Sequence, residues 1–458
     1  MKTINLIFDT TIASFFLFLP LAGHTASNGS ADSTIPNARQ VSLLQVGESM
    51  ASLRPIVLLA DPNISALRVT PPPELALQQQ GLMAQQATVS INYLPAGGGS
   101  WGDNCITWPD QPKAAFTYAA SLWASQLQSP VPITIDACWA NNLSSGVLGH
   151  GGSRNFFRDF SGAPVSNTWY PVASANALHG SDLDPAQSDI YIGYSSTFNW
   201  YFGTDGNTPS NQYDFVSVVL HELAHGLGFL GSMQVSNGQG SWGSGSGLSF
   251  VYDRFTENGS GQKLIDTTLF PNPSGVLATQ LQSNDIYFNG ANANAANGRA
   301  RVPLYAPSTW QAGSSYAHLA ESYNGTSSAL MTYSLSYGES IHNPGSVTLG
   351  LLKDVGWMLQ SVSNYYTLTV TKTGAGSGTV TSNPAGIACG ATCGASFTSG
   401  TSVILTAATA TRSTFAGWSG AGCSGTGSCT VTMNAAKTVF ATFDTTNGGP
   451  PLWNDQSW

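Results

Sequence analysis

Two periodicities organise the chain. The apolar residues Phe215, Val218, Val219 and Leu223 recur at helical spacing, which predicts an amphipathic helix with Ser210 or Asn211 as its N-cap. Ahead of it, ATVSINYL from 87, Val131 to Ala137 and SDIYIGYS from 188 read as strands, and Lys113 to Gln126 as a helix. Beyond 365 the pattern turns to alternating β-branched runs between glycine turns, as in SVILTAATA and CTVTMNAAKTVFATF, which predicts a separate small all-β or β-grasp unit. The stretch 232–317 is rich in Gly, Ser and Asn, with NGANANAANG as a low-complexity patch, so loops and short strands are expected there.

This expected helix carries the run HELAH. Helical geometry puts His221 and His225 on one face, where two neutral imidazoles suit zinc, while Glu222 lies one residue round the helix, placed to take a proton from water. A helix that merely happens to hold two histidines is the plainer alternative, because the motif has two free positions. Gly226 and Gly228 are expected to end the helix through the positive φ open to glycine.

The extended run HExxHxxG resembles the metzincin metallopeptidases. Their short form places a third histidine where this chain has Gly231, which offers no ligand. Downstream, SSYAHLAESYNGTSSALMTYSLSYGESIHNPGSVTLGLLKDVGW looks like a Met-turn and C-terminal helix, and the whole arrangement resembles the leishmanolysin family over about residues 87–360. That resemblance implies His318 as third zinc ligand, beyond the insertion, and Met331 as the structural methionine of the turn. Glu321, His342 and Asp253 are the rival ligands. Tyr333 stands where the astacin-like and serralysin-like metzincins have a tyrosine that supports the transition state, although leishmanolysin lacks one; ordinary packing is the alternative. The expected strand for binding extended substrate, by likeness to the N-terminal metzincin subdomain, is Ile190 to Tyr194. A second metal site, for zinc or calcium, at His150, His179, Asp182 and Asp184 is disfavoured against polar loop residues, since no ligand spacing links them.

Composition points to export. Of 458 residues only 9% are charged, 50 are glycine, and the net charge is -9, which argues against nucleic acid or an anionic membrane as partner. Residues 1–26 carry Lys2, an apolar run from Ile12 to Ala22 and small residues, as a signal peptide does, and no later run is long enough to span a bilayer. Residues 27–86 are expected to form a propeptide, without a cysteine to block a metal, or else a plain N-terminal subdomain. The six cysteines suggest Cys105–Cys138 in the first region and two bridges in the second, where three connectivities are open; the local pairs Cys389–Cys393 and Cys423–Cys429 are favoured because each closes a short glycine-rich loop, with a four-thiolate zinc site as the competing reading.

These features give an α+β chain: a metzincin-like two-subdomain zinc peptidase over 87–362, a β module over 363–444 and a tail over 445–458. The module resembles a divergent internalin-type B repeat, which implies attachment to a surface or polymer, or only spacing and protection of the catalytic domain. The expected activity is that of a secreted zinc endopeptidase acting on proteins or peptides. The alternatives are an adhesion protein that keeps the peptidase fold with little activity, and a zinc amidase acting on cell-wall peptides.

Overall fold

The computed structural model describes residues 55–79, 84–360, 365–390 and 393–446. The expected signal peptide, the first half of the expected propeptide and most of the tail lie outside them. The fold is mixed α and β, with separate cores on either side of residues 361–364.

In the larger part the main sheet is built from β1 (Ile56–Ile64), β2 (Val89–Tyr93), β3 (Ile133–Ala140), β4 (Val147–Ser153), β5 (Ile190–Ser195) and β6 (Ser334–Tyr337). Their spatial order is β6-β1-β4-β5-β3-β2, and the short strand Cys105–Ile106 pairs with β3 and is clamped to it by the Cys105–Cys138 disulfide. β4 runs antiparallel to both β1 and β5; the remaining pairs in the order are parallel. The apolar faces of helices Asp110–Ala124 and Phe215–Leu227 supply much of the core, with Phe116, Trp123, Val219 and Leu220 wholly buried.

Three local expectations change. The motif helix Phe215–Leu227 is capped by Asp214, not by Ser210 or Asn211: the Asp214 carboxylate accepts from the Ser217 backbone amide at 2.8 Å. Gly226 lies inside the helix, where glycine makes room for the Ile190 side chain on β5 that a Cβ would strike, whereas Gly228 takes the positive φ of 122° at the C-cap as expected. The low-complexity patch forms a short helix, Ala291–Ala296, whose first amides are taken by the Asp354 carboxylate, Asn292 N at 3.0 Å and Ala293 N at 2.9 Å. A carboxylate from distant sequence supplies what the patch lacks locally.

Residues 365–446 form seven strands in two sheets, and the described residues there include no helix. Cys389–Cys393 and Cys423–Cys429 pair locally, so no four-thiolate cluster exists among the described residues. No helix among the described residues is long and apolar enough to cross a membrane.

Gly226→Ala tests the helix-to-sheet contact. Overpacking against Ile190 should outweigh the gain in helix propensity and cost a net ~1–2 kcal/mol, read as a lower urea midpoint at unchanged slope.

Candidate metal centre

Three imidazoles meet in the core of the larger part. His221 and His225 come from the motif helix, His318 from the loop that closes the insertion, and all three are buried. One ring nitrogen from each lies within 4.8 Å of the others; the Nε2 atoms of His221 stand 3.1 Å from His318 and 3.0 Å from His225. Each Nδ1 faces a backbone carbonyl, so each donates its proton outward: His221 to Leu330 at 2.6 Å, His225 to Phe229 at 2.7 Å and His318 to Ser314 at 2.7 Å.

That tautomer leaves three Nε2 lone pairs aimed at one another. Burial lowers the basicity of all three rings, and the neighbouring imidazoles lower His221 and His225 further; His318 is pushed down to about 4. Three neutral acceptors at this spacing repel unless a cation sits among them, and the outward carbonyl bonds are the support that metal-bound histidines use. The donor set therefore fits a divalent ion of the zinc class.

Glu222 sits beside this cluster, fully buried, and burial pushes its carboxyl well above the usual carboxylate range. Neither of its oxygens makes a hydrogen bond; the nearest relief is the backbone amide of Leu58 on β1, which faces it without reaching hydrogen-bond geometry. β4 lies directly over it. A Cβ on Gly149 would come 3.3 Å from the Glu222 Oε1, and one on Gly151 would come 2.8 Å from the Glu222 backbone oxygen. Tyr194, buried under the same strand, also has an unpartnered hydroxyl.

The rival ligands are all engaged elsewhere. His342 pairs through Nε2 with the capping Asp214 at 2.8 Å. Asp253 is a buried brace that accepts from the Ser232 amide and hydroxyl, the Phe250 amide and the Tyr316 hydroxyl. Glu321 is exposed and lies by the Tyr333 hydroxyl. Tyr333 stacks on Tyr305 at 4.3 Å, as a packing residue would. Met331 is wholly buried, and its carbonyl accepts from Leu319 N, next to His318, at 2.8 Å.

A family model described as SPBPB7E8-like matches residues 170–239. That stretch holds β5 and the motif helix but is far less than half of the chain. No curated protein and no solved structure matches.

The strand expected to hold substrate is not an edge. Ile190 to Tyr194 cannot bind an extended peptide by main-chain pairing, because β5 is paired along both sides, to β3 and to β4. The residues weighed for a second metal are also engaged separately. His150 bonds Asp103 at 3.0 Å, His179 faces the Ser161 carbonyl, and Asp182 and Asp184 take side-chain amides from Asn176 and Asn155. They form no shared cluster among the described residues.

Sequence reasoning missed Asp214, the Asp253 brace and the β4 glycines. Glycines at alternate positions in VLGHGGS were the available signal, since period two with no side chains marks a strand approached closely by other backbone.

His318→Ala should weaken zinc binding by more than the roughly 10–100-fold that loss of a supporting group costs. His342→Ala and Glu321→Ala should keep one equivalent. Titration calorimetry on the folded variants decides it, and undiminished binding by His318→Ala would exclude this ligand set.

Proposed function

We propose that the chain is a zinc-dependent endopeptidase of metzincin-like design, in which His221, His225 and His318 hold the ion and Glu222 is the general base. The observation that carries this reading is the convergence of three Nε2 lone pairs, each ring turned by a backbone carbonyl, beside a buried and unpartnered carboxylate. An imidazole cluster that served only to fill the core would satisfy its own nitrogens.

A zinc ion bound there supplies Lewis acidity, bringing the pKa of a water towards ~7 and polarising a carbonyl. The chain's own residues do the rest. The three rings stay neutral because burial disfavours imidazolium, which outweighs the opposite pull of the carbonyls that accept from Nδ1. Glu222 takes a proton from water at a carboxylate oxygen as the water oxygen bonds to the scissile carbonyl carbon, and returns it to the nitrogen of the leaving amine as the C–N bond breaks. Buried surroundings suit that exchange, since they bring a carboxyl nearer to neutral pH than water does.

On this reading the chain is exported: residues 1–26 are the signal peptide and 27–86 the propeptide. The three cysteine pairs support an oxidising compartment. The C-terminal β module contacts a surface or polymer.

Cleavage of an unfolded protein substrate tests the reading. Glu222→Gln should lower the rate by about 10²–10⁴-fold while leaving zinc binding intact. Chelation should abolish the activity of the parent, and added zinc should restore it in the parent alone. A zinc-loaded chain cut within residues 80–86 and freed of the N-terminal fragment that still hydrolyses nothing would refute the peptidase reading.

A further inference from the structure

β1 is gripped on both edges by the walls of the candidate site. On one side it pairs antiparallel with β4, Ile56 opposite Gly151 and Leu58 opposite Gly149, and Ala60 N donates to Gly146 O at 2.8 Å. On the other side Val57 N donates to Gly313 O at 3.0 Å, one residue from the carbonyl that orients His318. Leu59 N donates to Tyr333 O at 3.0 Å, three residues beyond the carbonyl that orients His221. Residues 59–64 then run parallel to β6, which has no other partner in this sheet among the described residues.

Five residues of β1 thus bridge the strand that covers Glu222 and the two turns that aim two of the three imidazoles. Without them, the backbone groups of β4 that face β1, together with Gly313 O and Tyr333 O, would line an open slot, a template for an extended peptide. The side chains are received as well. Leu58 is only 2% exposed, and Ile56 packs against Phe156, Leu230 and Phe250 beside a cavity bordered by Met233 and Trp310.

We propose that β1 is a tethered pseudo-substrate: residues Ile56–Ala60 occupy the groove that takes substrate and keep Glu222 and the imidazoles covered until the strand is displaced. The word substrate rests on the peptidase reading; the groove and its occupant do not. The groove recognises an extended main chain between β4 and the Gly313–Tyr333 wall, with aliphatic side chains at the positions of Ile56 and Leu58. Residues 65–88 join this segment to β2, so one cut there ends the tether.

A dye-labelled peptide of residues 55–64 is the probe, read by fluorescence anisotropy on the full chain carrying Glu222→Gln, with and without Leu59→Pro. The proline removes the amide given to Tyr333 O. Affinity should rise about tenfold or more with the open fraction, and a peptide carrying the same proline should not bind. Equal affinity in the folded variant and its parent overturns the proposal. Hydrogen exchange on the unaltered chain decides between the two even where Leu59→Pro fails to fold. Val57, Leu59 and Ala60 should exchange through a partial opening ahead of β3 and β5, and exchange only on global unfolding would make β1 a permanent strand. With Glu222 intact, zinc-loaded Leu59→Pro should cleave about tenfold faster than the parent. Peptide binding without any cleavage sinks the peptidase reading and supports the groove; a parent that cleaves as fast as Leu59→Pro sinks the covering strand alone.

Discussion

Everything in the site depends on three hydrogen bonds that point away from it. Each imidazole gives its Nδ1 proton to a backbone carbonyl, of Phe229, Ser314 or Leu330, and only that choice of tautomer frees all three Nε2 atoms to face inward. A side-chain acceptor could swing aside. A carbonyl in a turn is fixed by the fold, so the chemistry of the centre is set by the conformation of three turns distant in sequence. One leaves the motif helix through Gly228, one closes the insertion, and one is the 3-10 turn Ala329–Met331.

The same centre carries a cost that the fold does not remove locally. A buried carboxyl without a hydrogen bond, next to three buried rings with lone pairs opposed, loses solvation with little in return. Groups in that state are expected where a site is built for a ligand and a reaction and not for stability. The close approach of β4 shows that the arrangement is specified: side chains at 149 or 151 would be pressed against Glu222, and glycine at both lets the strand lie on the helix. The His342–Asp214 pair behaves differently. There the histidine meets its partner, the partner caps the motif helix, and the cluster is structural.

Local periodicity and chain-wide pairing explain what could be read in advance. The motif helix, the helix Asp110–Ala124 and the strands β2, β3 and β5 were legible, because their patterns lie within a few turns of chain. Which strand edge lies free was not legible, since an edge is a property of partners far away in sequence. So β5, with the right composition, proved to be interior, and β4, nearly hidden by its glycines, proved to cover Glu222. His318 came from likeness to a family and not from spacing: nothing in the 92 residues between it and His225 predicts that they return to the same point. The Asp214 cap was missed because Ser210 and Asn211 were equally good capping types; short pairing of Tyr213–Asp214 with Trp200–Tyr201 decides where the helix starts.

Gly231 explains why the third imidazole must come from so far. A Cβ at that position would strike the Tyr316 ring and the Asp253 carboxylate, so residue 231 cannot supply a side chain to the centre. Asp253 turns that exclusion into a connection. It binds Ser232, just past the exit, and the hydroxyl of Tyr316, two residues before His318, so one buried carboxylate ties the two ends of the insertion together. Changes of length or composition in the surface loops between them then cost little, while the distance from helix exit to third imidazole stays fixed. The insertion is therefore constrained at its ends, by one buried carboxylate, and comparatively free in its middle.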